Sequence, residues 1–260
     1  MSDFFSRPSV KITQLTVRFD VPALLHPRLY AQHGLNGGES MNRLQNLKPL
    51  ALTLLIAFAL VIRCNPASAQ TLETLTVAGG CFWCVEADFE KVEGVTEGVS
   101  GFTGGDVENP TYNQVTKGGT GHYEAVEISF DPSVVSRSQL LSMFLRSIDP
   151  TDAGGQFCDR GDSYHTAIFV SNQEERSIAE QKIEAAENEL GKEIVTPILD
   201  KDAFYPADSY HQDYYKGRKL VLTRFGPKSQ ASAYKAYRAA CGRDDRVRDL
   251  WGEAAPFVGN

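Results

Sequence analysis

The apolar run Leu75-Thr76-Val77-Ala78 breaks at Gly79-Gly80 and is followed at once by Cys81-Phe82-Trp83-Cys84. A strand that turns through two glycines into a helix leaves its first helical residue at the exposed helix start. Here that residue is a cysteine. The positive end of a helix favours the reactive thiolate and can bring its pKa from about 8.5 toward neutrality. Phe82 and Trp83 set two apolar rings beside the sulfur. The junction therefore reads as a nucleophile for a small, partly apolar group. Other readings compete with this one. Many cysteines are simply buried small hydrophobes. Half a zinc site would need a second Cys or His pair at short spacing, and neither Cys158 nor Cys241 has one nearby. A Cys-x-x-Cys pair alone also fits a thioredoxin-like disulfide exchanger.

The sequence is uneven along its length. Residues 1–40 show no clear periodicity and read as an N-terminal extension or a mis-assigned start. From Met41, the basic Arg43 and Lys48 precede the thirteen-residue apolar stretch Leu50–Ile62, which is short for a membrane span. Ala67-Ser68-Ala69 completes the pattern of a secretory signal cleaved after Ala69. Arg63 replaces the small residue that lipid attachment at Cys64 would want. Residues 41–69 are thus expected to be a signal peptide. Residues 70–260 are expected to be a periplasmic or secreted domain with a C-terminal tail, monomeric and without a stable membrane anchor. Its 191 residues are enough for one core. They carry 19 basic and 30 acidic side chains, net −11, which argues against a nucleic-acid partner.

Periodicity outlines the domain. A strand over 73–78 feeds a helix from Cys81 to about Lys91, with Val85, Phe89 and Val92 on one stripe. A long loop is expected over 101–111. His122–Phe130 alternates as a strand closed by Asp131-Pro132. Its apolar face carries Glu124 beside Val126, Ile128 and Phe130, whereas Glu127 faces the other way. A carboxyl on a core face is costly when charged, so its pKa should rise and make it a proton donor near neutrality. A strand end already in water is the alternative for Glu124, and His122 reads as a loop or strand-end residue. Ser136 caps a helix to about Ser147 that buries Leu140, Leu141, Phe144, Leu145 and Ile148. The glycine loop 154–161 precedes a strand at Thr166–Ser171. A charged helix runs from Gln173 to Leu190 and stops at Gly191. Ile194–Leu199 reads as a strand, Phe204–Tyr215 as an aromatic loop, and Ser229–Ala240 as a last helix delivering Cys241 to a charged tail. Strands and helices mix without a regular count, which points to an α+β two-layer domain. Cys81, Cys84, Cys158 and Cys241 are sparse for a disulfide scaffold and read as a working redox set.

Gly80-Cys81-Phe82-Trp83 resembles the active-site signature of peptide methionine sulfoxide reductase A. Further matches follow in order: Gly101-Phe102-Thr103-Gly104-Gly105, Asn109-Pro110-Thr111-Tyr112 and Thr120-Gly121-His122 through Val126. Asp131-Pro132, Asp149-Pro150-Thr151, Asp159-Arg160-Gly161 with Tyr164, and Phe204-Tyr205-Pro206-Ala207 with His211-Gln212 complete the series. The resemblance implies a two-layer sandwich with a mixed sheet, a ferredoxin-like plait. It implies reduction of methionine S-sulfoxide, free and in proteins, with a thioredoxin-like reductant and no metal, flavin or nicotinamide. By the same resemblance, Cys81 is the nucleophile and Glu124 the acid. Tyr112 and Tyr164 bond the sulfoxide oxygen, Asp159 is a supporting carboxylate, and Phe82 and Trp83 hold the methyl group. The sulfenic acid left on Cys81 is resolved by Cys84, Cys241 or Cys158. Cys84 is favoured because it lies three residues away on the same helical face. An exchanger using only Cys81 and Cys84, and a secreted binding module indifferent to Cys81, remain the other classes.

Overall fold

The computed structural model describes residues 71–224 and 226–259. The expected extension and signal peptide lie outside them. The chain runs β1 (Glu73–Gly79), α1 (Phe82–Phe89), β2 (Val95–Thr103), α2 (Tyr112–Lys117), β3 (Tyr123–Phe130) and α3 (Arg137–Leu145). It continues through β4 (Gly155–Gln156), β5 (Asp159–Arg160), β6 (Thr166–Val170), α4 (Gln173–Leu190), β7 (Ile198–Asp200) and β8 (Tyr205–Pro206). The hairpin β9 (Leu220–Thr223) and β10 (Gly226–Ser229) leads into α5 (Gln230–Ala240) and α6 (Arg243–Trp251).

The alternation in β3 sets the centre of the sheet. Val126 pairs with Val77 and Ser100, and Ile128 pairs with Leu75 and Gly98, so these residues share one face. The strand order is β7-β6-β1-β3-β2-β8. β3 lies antiparallel between β1 and β2, so β1-α1-β2 is a split β-α-β unit, and β6 adds antiparallel beyond β1. β7 pairs parallel with β6 and makes the sheet mixed. This is the expected α+β plait. On the helix-covered face Leu75, Val77, Val126, Ile128 and Ile168 meet Val85, Phe89, Leu140, Leu141 and Phe144, all buried in one core. Each such side chain contributes about 1.5–3 kcal/mol. The opposite face is built of Ala78, Ala125, Ala167 and Phe169, with Tyr123, Leu199 and Phe204 packed against them.

Local chemistry sets the helix ends. Ser136 and Gln139 form a reciprocal capping box on α3, Asn172 caps α4, and Gly191 ends α4 in the left-handed conformation at φ 60°. Three expectations are corrected. Residues 95–103 form β2, where a loop was expected to begin at 101. Its glycines hide the strand pattern, and at Gly101 a Cβ would stand 2.5 Å from the Phe204 ring and 2.6 Å from the Tyr205 carbonyl oxygen. The expected strand Ile194–Leu199 pairs only over Ile198–Asp200. The charged tail is largely α6, which buries Arg243, Val247 and Trp251 at every fourth position. Those three mark a buried stripe that charge conceals.

Candidate active site

The β1–α1 junction positions the site. Gly80 takes φ 78°, and a Cβ there would lie 2.5 Å from Gln156, so the turn tolerates no side chain. Cys81 is the N-cap of α1 and Phe82 its first residue. The Phe82 N–H, one of the free donors at the helix start, donates to Glu124 Oε2 at 3.1 Å. Glu124 faces the helix layer from β3, opposite Phe102 of β2. It is buried, its Oε1 has no partner, and burial pushes its carboxyl up to about 8. The acid is therefore neutral at pH 7 and carries a transferable proton.

A cavity of about 100 Å³ opens between Cys81 and Glu124. Phe82, Trp83, Tyr112, Asp159, Tyr164 and Tyr237 complete its wall. All seven residues expected to bind or transform substrate thus line one small space. Tyr112 begins α2, and Tyr164 ends a one-turn 3-10 helix, Asp162–Tyr164. Burial, then the Glu124 charge, pushes both phenols well above their usual range, so both remain hydrogen-bond donors. Asp159 is half-buried, and burial raises its carboxyl.

The thiols depart from expectation. The Cys81 thiol is pushed well up, first by its hydrogen bond to Cys84, then by burial and by the charges of Glu124 and Asp159. The Cys84 thiol is lowered by that same bond and by the Arg243 and Arg238 charges. At the helix start Cys81 is therefore held as a thiol, because the bond to Cys84, burial and the neighbouring charges all oppose its ionisation. Cys81 and Cys84 are free and buried. Cys158 and Cys241 are bonded to each other, with Cα atoms 5.0 Å apart, so one pair of the expected redox set is already a bridge.

Three aromatic neighbours had been given no role from the sequence. Trp83 lies flat on Tyr214, ring centres 3.7 Å apart and planes within 3°. His211 stacks on Tyr112 at 4.3 Å and also meets Phe82 and Trp83; burial lowers its pKa and keeps it neutral. Tyr237 donates to Asp159 Oδ2. The density of rings over 204–215 was a usable signal for the first two. For Tyr237 the signal was its place one helical turn before Cys241.

A thiol with an acid set to protonate what it attacks is the chemistry of a thiol-dependent oxidoreductase. The family model for peptide methionine sulfoxide reductase matches residues 73–251, and the chain belongs to that family. It is 44% identical over 205 residues to peptide methionine sulfoxide reductase MsrA 2 of Caulobacter vibrioides, covering 76% of this chain and 98% of that one. It is 46% identical to MsrA of Listeria innocua, over 70% and 97% of the two chains. Among solved structures, methionine sulfoxide reductase A of Corynebacterium diphtheriae superposes with a TM-score of 0.52 at 30% identity, over 58% of this chain and 76% of that chain. Reduced Mxr1 of Saccharomyces cerevisiae gives 0.54 at 26% identity, over 57% and 87%. The activity is thiol-dependent reduction of methionine S-sulfoxide, free and in proteins, through a cysteine sulfenic acid and an intramolecular disulfide.

Proposed function

We propose that Cys81 attacks the sulfoxide sulfur while Glu124 protonates the oxygen. The observation that carries this reading is Glu124 Oε1, buried without a partner in the cavity that Cys81 lines. Sulfoxide oxygen is a poor leaving group until protonated. Cys81 sulfur bonds to the substrate sulfur as the Glu124 proton goes to oxygen, and the Cys81 thiol proton passes to the Glu124 carboxylate so released. The hydroxyl passes to Cys81, methionine leaves reduced by two electrons, and Cys81 becomes a sulfenic acid. Tyr112 and Tyr164 donate to the oxygen, Asp159 orders the phenolic side, and Phe82 and Trp83 hold the methyl group. Cys84 then forms the disulfide with Cys81 and water departs. Its hydrogen bond with Cys81, and the existing bond between Cys158 and Cys241, support it as resolver over either of those two. An external dithiol protein of thioredoxin type returns the pair to thiols.

The test is Glu124→Gln, which keeps shape and removes the proton. Single-turnover methionine release should slow by a factor on the order of 10² to 10⁴. A rate within threefold of the parent would make Glu124 structural. We further propose that the domain is exported, monomeric and unanchored. The small-x-small pattern at Ala67–Ala69 and the start of the family match at residue 73 support export.

A further inference from the structure

Tyr237 is the one member of the cavity wall, among the described residues, without a role in the mechanism above. It projects from α5 and donates to Asp159. One turn on, Cys241 caps the same helix, its N–H bonded to the Tyr237 carbonyl at 3.0 Å. Cys158 immediately precedes Asp159. The β4–β5 hairpin and α5 are therefore joined at two adjacent points. One is covalent, Cys158 to Cys241, across 83 residues of sequence. The other is the Tyr237–Asp159 hydrogen bond. The hairpin has only two residues per strand, and such a short pair is too weak to fix a carboxylate by itself. A lone hydrogen bond between part-exposed groups keeps only a small net advantage over the bonds each group makes to water. A tether one residue away restricts that exchange and keeps the phenol on its acceptor.

We propose that Tyr237 is a positioning residue for sulfoxide reduction, and that the Cys158–Cys241 bridge is the strap that keeps it on Asp159. This rests on the reading of Asp159 as part of the substrate site. Around Asp159 stand Tyr237 from α5, Arg243 from α6, Glu124 from β3, and Tyr112, Tyr164 and Cys81. Burial raises the Asp159 carboxyl, and Tyr237 and then Arg243 hold it back. Removing the Tyr237 hydroxyl lets it rise further.

The experiment is single-turnover methionine release by Tyr237→Phe, by the double variant Cys158→Ser/Cys241→Ser, and by the two combined. No recycling is needed in one turnover, so a bridge that only carried electrons would leave it untouched. Both variants should raise the half-saturating sulfoxide concentration about 5–20-fold, the effect of one positioned hydrogen bond, with the saturating rate little changed. Tyr237→Phe should also move the acidic limb of the pH profile upward. The combined variant should be no worse than about twofold beyond either one, as expected for parts of one device. Parental half-saturation in the double cysteine variant would overturn the strap. Parental half-saturation and an unmoved acidic limb in Tyr237→Phe would overturn the positioning role. Full activity of Glu124→Gln would instead undo the reading of the site, a separate outcome.

Discussion

Glu124 ties activity to stability through one proton. Its carboxyl lies at about 8 in the folded protein against an ordinary 4.5. The folded state therefore holds a proton that the unfolded chain releases between those values, and stability falls as pH rises across that window. Glu86, pushed up to about 7 by burial, adds in the same direction. Glu124→Gln should thus be slower yet more stable than the parent, by on the order of a few kcal/mol at pH 8 and by little at pH 4. Urea unfolding at both pH values checks this, and equal pH slopes in the two proteins would contradict it. The parent's single-turnover rate should fall as pH passes about 8, because the acid is then lost. For Cys84→Ser we expect one methionine released per enzyme and no sustained turnover with a protein dithiol. Peptide mapping after one turnover of the parent should find Cys81 bonded to Cys84; a Cys81–Cys241 bridge with Cys84 still alkylatable would shift resolution to α5. Alternation alone marked Glu124, and the glycine turn alone marked Cys81. Tyr112, Tyr164 and Asp159 were legible only through resemblance, since isolated loop residues carry no period. The raised Cys81 thiol was not legible, because it depends on the direction of the Cys81–Cys84 hydrogen bond, on burial by the finished fold, and then on Glu124 and Asp159, 43 and 78 residues away in sequence.

Elements with strong local signals read well. α4 runs from Gln173 to its stop at Gly191 as expected, with Asn172 as its cap, and α3 is capped at its start by Ser136 as expected, because capping is encoded within a few residues. β2 and α6 were hidden because their patterns answer to partners elsewhere in the chain. In α6 the telling residue is Arg243, almost fully buried. It donates to the Ser147 carbonyl at 2.9 Å and the Gly79 carbonyl at 3.3 Å, and its guanidinium lies 4.7 Å above the Phe157 ring. Arg243→Leu would leave both carbonyls without that donor. It should cost about 2–4 kcal/mol in urea unfolding. It should also weaken sulfoxide binding, because the Gly79 turn carries Cys81. Parental stability in this variant would show that the contacts trade evenly with water.

At the scale of the whole molecule, charge was readable in the sequence, destination stands as a proposal, and the closing of the site by distant helices was not readable. Among the described residues no helix is long and apolar enough to cross a membrane. The export proposal predicts that mass spectrometry of protein from its own cells finds Gln70 as the first residue; an intact Met1 form in the cytoplasm would refute it. The site itself is closed by α5 and α6. Tyr237 completes its wall, Arg238 pairs with Asp88 of α1 at 2.9 Å, and Arg243 reaches the carbonyl of Gly79. All three follow the two thiols by more than 150 residues of sequence. Without them the Cys81 and Cys84 thiols would lack the Tyr237 wall and the Arg243 clasp. Thiols and acid alone are therefore an open constellation, and the two helices are what turn it into an enclosed reaction vessel.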